Sequence, residues 1–378
     1  MPPVRSHLLK KQMPGLDILR GVAVLAVLFF HGLGWSLPAH LSLSPGASRI
    51  GAIVQSGWLG VNLFFILSGF LITGILLDTR ERHNYWKSFY VRRVLRILPL
   101  YLVVLILAKF QRDLQFGYIL LCVFYAANMA VYFRDIGPVY GPLWSLAVEE
   151  QFYLIWPLLV RRIPARALAV VCLVLIVISP VLRGLSVHTF PWLGDAYSAT
   201  WLISDNLAWG ALIALFLRSP LASAKNVKTL TLGLWLGGVL LFGVLAKFHL
   251  FTRKTPLGAS LQVVPFLALF TALLLLALRY GDNRHVIRWS APIRFFGYIS
   301  YGLYLLHLIF FKAYDDLLVR YVAPPDILTV SALLVRFLVV ITLGSLICVL
   351  SRRFFEEKFL LLKERLVPYE KHRHAAPR

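Results

Sequence analysis

The chain has 378 residues, of which 59% are hydrophobic and 15% are charged. This composition excludes an ordinary soluble domain and indicates repeated membrane spans. The formal net charge of +22 would suit nucleic acid, but the basic residues cluster in short stretches beside apolar runs. That pattern is typical of positive-inside topology and of contact with anionic lipids, so we expect membrane lipids and no nucleic acid as partners.

Apolar runs long enough to cross a bilayer predict an all-α, polytopic helical membrane protein with about ten transmembrane helices. The runs lie near residues 16–36, 54–77, 94–110, 143–160, 167–183, 199–217, 229–247, 260–279, 295–312 and 327–350. We place them in one transmembrane domain, residues 1–360, followed by a polar cytoplasmic tail, residues 361–378.

The charge distribution decides whether a further candidate span, residues 116–133, crosses the membrane. If it crossed, every basic cluster from Arg161 to Arg294 would lie outside, against the positive-inside rule. We therefore interpret residues 111–142 as a re-entrant segment on the outer face. This topology places both termini in the cytoplasm.

Two ionisable residues, Arg20 and His31, lie in the first apolar run. In a continuous α-helix their side chains share one face and are separated by about 16 Å along the axis. Ionisable groups inside a membrane normally face a protein interior or a cavity and indicate a functional site. The alternative is that Arg20 reaches the membrane interface and His31 is a satisfied polar residue between helices.

Other polar residues are expected at the depth of His31, in the outer half of the membrane. Glu149 and Glu150 enter in the fourth span, and Tyr301, Tyr304 and His307 in the ninth. A carboxylate beside an imidazole stabilises the protonated ring, as a general base requires. The alternatives are an ion pair for a glutamate, ordinary membrane aromatics for the tyrosines, and an interhelical hydrogen bond for His307.

At the cytoplasmic end, Arg93 and Arg96 lie one helical turn apart at the start of the third span. With Arg20 they predict a cationic cluster suited to phosphate groups, which arginine binds through two parallel hydrogen bonds. The alternative is ordinary lipid anchoring. In the second span, Gly57, Gly60, Gly69 and Gly74 favour close helix packing.

Five motifs in order along residues 16–310 give the chain a family resemblance. They are Arg20-x10-His31, Phe64-Phe65-Ile66-Leu67-Ser68-Gly69-Phe70-Leu71, Arg93-x-x-Arg96 followed by Pro99, Trp144-Ser145-x3-Glu149-Glu150-Gln151-Phe152-Tyr153, and Ser300-Tyr301-x2-Tyr304-x2-His307. In this order they resemble acyltransferase family 3, multi-pass membrane enzymes that O-acylate sugars of surface polysaccharides, lipopolysaccharide and peptidoglycan.

The resemblance implies an acyl-CoA donor, usually acetyl-CoA, and a carbohydrate acceptor, free or lipid-linked, on the far side of the membrane. It also implies that His31 is catalytic and that Arg20, Arg93 and Arg96 hold the phosphates of coenzyme A. We assign substrate binding to a further set: Trp144, Ser145, Tyr301, Tyr304 and His307. The expected location is the bacterial cytoplasmic membrane.

The predicted activity is O-acyl transfer in which His31 acts as general base or as transient acyl carrier. Glu149 or Glu150 is expected to orient the ring. Thioester chemistry needs no metal, and no histidine spacing or cysteine pattern indicates one. Two alternatives are a proton-coupled transporter with His31 and Glu150 as relay, and the membrane-bound O-acyltransferase class, which also uses an intramembrane histidine.

Overall fold

A computed structural model describes residues 8–10, 12–34, 45–133, 136–189, 196–321 and 330–367. Within these ranges the regular structure is helical, without strands. Eight helices there are long and apolar enough to cross a membrane. These findings confirm the prediction of a polytopic helical membrane protein.

The α-helices are numbered in chain order. They are α1 (Pro14–Phe29), α2 (Pro45–Gln55), α3 (Gly60–Thr79), α4 (Tyr85–Arg112), α5 (Phe116–Val123), α6 (Pro142–Arg162), α7 (Ala165–Thr189), α8 (Thr200–Phe216), α9 (Ala224–Lys247), α10 (Pro256–Leu261), α11 (Val264–Tyr280), α12 (Arg284–Trp289), α13 (Ala291–Tyr321), α14 (Val330–Ser351) and α15 (Glu357–Leu366). Two short π-helices, Phe30–Gly34 and Arg352–Glu356, extend α1 and α14.

In the part of the chain that the structure describes, all ten apolar runs fall on helices. Two of these helices are not among the eight long apolar ones: α8 has 17 residues, and α6 carries Glu149 and Glu150 within its length. Both helices pack against other helices of the bundle, α6 against α3 and α8 against both α3 and α7. The helix with two glutamates, α6, and the short helix α8 are thus both in contact with other helices.

The segment that we interpreted as re-entrant contains no long helix in its described residues between α4 and α6, 113–133 and 136–141. It holds the eight-residue helix α5 and a 3-10 helix, Ala127–Tyr132, separated by a turn in which Tyr125 has a φ of 51°. Neither piece is long enough to cross a bilayer. Its place on the outer face stays a prediction.

At the C-terminal end, the structure extends the helical part beyond the predicted domain boundary. Helix α15 continues to Leu366, so residues 361–366 are helical, and Glu364 accepts a hydrogen bond of 2.9 Å from Arg92 of α4. The rest of the predicted tail, from residue 368 onward, lies outside the described residues.

Glycine allows the central helices to approach closely. A Cβ on Gly69 of α3 would lie 2.0 Å from the carbonyl oxygen of Leu207, and one on Gly210 of α8 would lie 1.9 Å from that of Ile66. Helices α1 and α13 meet in the same way at Gly21. The structure thus agrees with the packing role inferred for glycines of the second span.

Helix α9, at the periphery, is the opposite case. Many of its large apolar side chains are exposed on the protein, as expected for a surface that faces lipid. A Cβ on Gly237 of α9 would meet nothing within 4 Å. Replacing glycine with alanine should therefore affect stability very differently at Gly210 and at Gly237.

We expect Gly210→Ala to destabilise the protein by about 1–3 kcal/mol or more, because the new methyl group overlaps backbone of α3. Gly237→Ala, the matched control, should be neutral or stabilising, because alanine is about 1 kcal/mol better than glycine within a helix. Thermal unfolding in detergent micelles measures both variants. Equal melting temperatures would contradict the packing described for α3 and α8.

Candidate functional site

A cavity of about 240 Å³ lies between α1, α3, α4, α6 and α13, and three arginines line it. We call it the arginine cavity after Arg20, Arg93 and Arg96. Arg20 and Arg93 are half-buried and Arg96 is exposed, so the three groups remain accessible to a ligand. Arg20 also donates a hydrogen bond of 3.1 Å to Asp17, one turn earlier in α1.

Another part of the wall of the arginine cavity comes from α6 and α3. Tyr153 donates a hydrogen bond of 3.0 Å to Oε2 of Glu149, and its hydroxyl also contacts that of Ser68. The guanidinium carbon of Arg93 lies 5.0 Å from the centre of the Tyr153 ring. Glu149 thus supplies a carboxyl group to a cavity that is otherwise cationic.

A second cavity, of about 610 Å³, contains His31 in its wall. We call it the histidine cavity. Most of its lining is aromatic or polar and includes Phe30, His31, Trp58, Asn62, Tyr118, Tyr140, Trp144, Tyr197 and Arg253. Aromatic rings with polar tips suit a ligand that has both apolar faces and hydroxyl groups.

The two cavities adjoin. Val61, Phe65 and Tyr304 line both of them. The hydroxyl of Tyr304 is hydrogen-bonded to that of Ser145 at 2.5 Å, which fixes the tyrosine at the boundary. A ligand group extending from one cavity to the other would therefore pass this side chain.

His31 is the second residue of the π-helix Phe30–Gly34, and its ring meets that of His307. Nδ1 of His31 lies 3.0 Å from Nε2 of His307, and Nδ1 of His307 lies 2.6 Å from the carbonyl oxygen of Tyr304. A carbonyl only accepts, so Nδ1 of His307 carries a proton and Nε2 of a neutral His307 accepts from Nδ1 of His31. Nε2 is then the unprotonated nitrogen of His31.

The partner of His31 differs from the prediction. We expected Glu149 or Glu150 to orient the ring, but His307 makes that contact and Glu149 lies on the wall of the arginine cavity. Glu150 lines neither cavity, and its Oε1 has no hydrogen-bond partner among the described residues. The sequence-based prediction rested on depth in the membrane, which the glutamates share with His31. Depth does not define the side of α6 on which their side chains lie.

The relation of Arg20 to His31 also changes. The helix is α up to Phe29 and π from Phe30 onward, so the single α-helical face assumed from the sequence does not extend to His31. Arg20 lines the arginine cavity and His31 the histidine cavity. π-Helical turns of this kind are frequent at functional sites.

The residues assigned to substrate binding divide between the two cavities. Trp144 lines the histidine cavity, Ser145 and Tyr301 line the arginine cavity, and Tyr304 lines both. Tyr301 also donates a hydrogen bond of 2.7 Å to the carbonyl of Ile97. His307 is fully buried behind His31.

Several lining residues were missed from the sequence. Trp58 and Asn62 both lie in the second apolar run, four residues apart. Polar residues inside a membrane span indicate a functional site, and this rule, which singled out Arg20, would also have found Asn62. Tyr197 and Arg253 come from connecting segments between spans, where nothing in the sequence marks them. The guanidinium carbon of Arg253 lies 4.5 Å from the ring centre of Tyr197.

A buried ion pair supports this side of the histidine cavity. Arg183 donates to both oxygens of Asp205 at 3.0 and 2.8 Å, and Asp205 accepts a bond of 2.9 Å from Asn206. Nδ2 of Asn62 in turn donates to Oδ1 of Asn206 and to the hydroxyl of Tyr197, each at 2.6 Å. The network thus links the ion pair to two lining residues.

The described part of the chain contains no group of three or more His, Cys, Asp or Glu residues that could hold a metal ion. Its three cysteines are free and buried.

The chain matches a known protein family along most of its length. A family model described as an acyltransferase domain matches residues 13–352. The chain belongs to acyltransferase family 3. The match runs through every helix described above from α1 to α14 and confirms the resemblance seen in the motifs.

Curated relatives cover the chain to different extents. YrhL of Bacillus subtilis, a candidate peptidoglycan O-acetyltransferase, is 29% identical over an alignment of 326 positions that covers 79% of this chain and 48% of that protein. The peptidoglycan O-acetyltransferase OatA of Listeria monocytogenes is 32% identical over an alignment of 169 positions that covers 39% of this chain and 24% of OatA. The chain therefore spans about half the length of these relatives or less. No solved structure matches it.

We expect Asp205→Ala to cost about 3–5 kcal/mol of stability, because it leaves the buried Arg183 without a counter-ion. Asp78→Ala is the control, since Asp78 pairs with Arg218 at 2.8 Å but is 37% exposed, and such pairs contribute about 1 kcal/mol or less. Unfolding in detergent micelles measures the difference. A loss at Asp205 no larger than that at Asp78 would contradict the supporting role of the network.

Proposed function

We propose that this protein is a membrane O-acyltransferase that transfers an acyl group, in the first instance acetyl, from acyl-CoA to a hydroxyl group of a carbohydrate. One observation carries the proposal: a cavity lined by three arginines adjoins a cavity lined by His31. The family and the names of its relatives support the same reaction class.

In this proposal the arginine cavity holds the donor. Coenzyme A carries several phosphate charges, and arginine binds phosphate through paired, charge-assisted hydrogen bonds. Arg20, Arg93 and Arg96 would bind these phosphates, and the acyl-bearing arm would extend past Tyr304 towards His31. The shared lining at Tyr304 supports this path.

The histidine cavity holds the acceptor. As the acceptor oxygen attacks the thioester carbon, its proton passes to Nε2 of His31. The carbon–sulfur bond then breaks, and the protonated ring returns the proton to the departing thiolate, so that free coenzyme A leaves as a thiol. His307 accepts the hydrogen bond from Nδ1 of His31 throughout and keeps the ring in the required tautomer.

A carbohydrate fits the lining of the histidine cavity. Trp58, Trp144 and Tyr197 offer ring faces for the apolar faces of a sugar, and Tyr and Trp also carry polar tips that can meet its hydroxyl groups. The relatives named for peptidoglycan support a cell-envelope glycan as the acceptor class. Lipopolysaccharide and lipid-linked sugars belong to the same class of acceptor.

We further propose a membrane orientation. The basic clusters at the Arg20 end support a cytoplasmic position for the arginine cavity, on the side where acyl-CoA is made, with both termini on that side as well. The histidine cavity then opens towards the outside of a bacterial cytoplasmic membrane. Donor and acceptor would approach from opposite sides.

We expect His31→Ala to lower acyl transfer at least 100-fold, because general-base catalysis contributes about 100- to 10,000-fold. Transfer of radiolabel from acetyl-CoA to isolated envelope glycans measures the effect. His285→Ala removes an exposed histidine of α12 and should leave the rate unchanged. Equal labelling by the His31 variant and the native protein would exclude the proposed mechanism, and solute transport without any labelling would favour a proton-coupled transporter.

We expect Arg93→Gln to raise the KM for acyl-CoA about 10- to 100-fold, because hydrogen bonds to charged groups contribute about 1.5–3 kcal/mol. The KM for the acceptor should stay within twofold. Arg353→Gln removes an exposed arginine and serves as the charge-matched control. A change of the same size in the control would mean that general electrostatic attraction, and not the arginine cavity, binds the donor.

A further inference from the structure

The carbonyl group directly after His31 receives a hydrogen bond from another helix. The π-helix that carries His31 ends at Gly34, and the last carbonyls of a helix have no partner within it. Nη1 of Arg336, in α14, donates to the carbonyl oxygen of Gly32 at 3.0 Å. Arg336 is 8% exposed, so this bond is made inside the protein.

Asp315 of α13 fixes the guanidinium group of Arg336. Nε of Arg336 lies 2.6 Å from Oδ1 of Asp315, and Nη2 lies 2.7 Å from Oδ2. The guanidinium carbon also lies 4.6 Å from the centre of the Phe311 ring. The two parallel hydrogen bonds and the Phe311 ring thus fix the plane of the guanidinium group. In this plane, Nη1 points at the carbonyl oxygen of Gly32.

Aromatic rings confine the same turn from α13 and α14. A Cβ on Gly32 would lie 2.5 Å from Cζ of Phe311 and 2.6 Å from Cδ2 of Phe337. The ring of Phe29, just before the π-helix, stacks on that of Phe337 with centroids 4.8 Å apart. The turn is therefore in contact with both helices and has little room to move.

Helix α13 contacts the π-helix at two levels. His307 meets the ring of His31, and Asp315, about two turns further along α13, acts through Arg336 on Gly32. The first contact sets the tautomer of His31. The second fixes the backbone from which the ring projects.

We propose that Asp315 and Arg336 are positioning residues that hold His31 at hydrogen-bond distance from His307 and in line with the boundary between the two cavities. This inference rests on the proposed function. Neither residue lines the arginine or the histidine cavity, so both act through the π-helix and not on substrate. Loss of either should slow the chemical step without weakening substrate binding.

The first test compares Asp315→Asn with Asp316→Asn. Asp316 is the next residue of α13 and pairs with Lys312 at 2.8 Å, with side-chain exposure of 55% against 44% for Asp315. We expect Asp315→Asn to lower kcat at least tenfold per folded molecule, with both KM values within twofold. Asp316→Asn should keep kcat within twofold. Melting temperatures of both variants give the folded fraction.

The second test needs no acyl transfer. The rate at which diethyl pyrocarbonate modifies His31, followed by mass spectrometry of the resting protein, reports the setting of the ring. We expect at least a threefold change in Asp315→Asn and in Arg336→Lys, which keeps the charge but loses the planar fork. No change is expected in Asp316→Asn.

The outcomes separate the two proposals. If the native protein transfers no acyl group but the modification rates change as expected, the proposed function fails and the positioning role stands. If the native protein is active and Asp315→Asn and Arg336→Lys match Asp316→Asn in kcat and in modification rate, the positioning role is overturned. A lower activity explained entirely by unfolded protein, with an unchanged modification rate, overturns it as well.

Discussion

Charged side chains inside an apolar helix bundle are stable only where protein groups or a water-filled cavity replace the solvent that they lose. This protein meets the requirement in two ways. Arg183 and Arg336 are buried, and each donates two hydrogen bonds to one carboxylate, Arg183 to Asp205 and Arg336 to Asp315. The arginines at the other end of the bundle instead line a cavity. The paired arginines support the scaffold around His31, whereas those of the cavity remain accessible to a ligand.

The division into two adjoining cavities gives acyl transfer a simple spatial basis. A donor with a large anionic part and a long neutral arm can bind its phosphates at one end of the protein and deliver its acyl group at the other. Tyr304 stands where the two cavities meet, and its own carbonyl oxygen orients His307, which in turn orients His31. One turn of α13 thus takes part in the boundary between the cavities and in the hydrogen-bond chain behind His31.

The sequence predicted much of this protein where the physical signal is local. Apolar runs defined the spans, and the glycine-rich second span predicted the close approach that Gly69 makes to α8. The motifs identified the family. The sequence could not supply the side of each helix on which residues of equal depth lie, so Glu149 or Glu150 was expected to orient His31, whereas His307 makes that contact. The π-helix that begins at Phe30 is in contact with α13 and α14, and nothing in the residue pattern marks the change from α-helix. Arg336 is an arginine within an apolar run, so the rule that selected Arg20 would also have identified it as a functional candidate.

In the proposed reaction, donor and acceptor occupy different cavities, and the acyl group reaches His31 past Tyr304. The structure of the protein bound to a non-hydrolysable thioether analogue of acyl-CoA tests this most directly. The account predicts phosphates within hydrogen-bond distance of Arg20, Arg93 or Arg96, with the acyl carbon next to Nε2 of His31. An analogue whose phosphates lie in the histidine cavity, against Trp58 and Arg253, would contradict it.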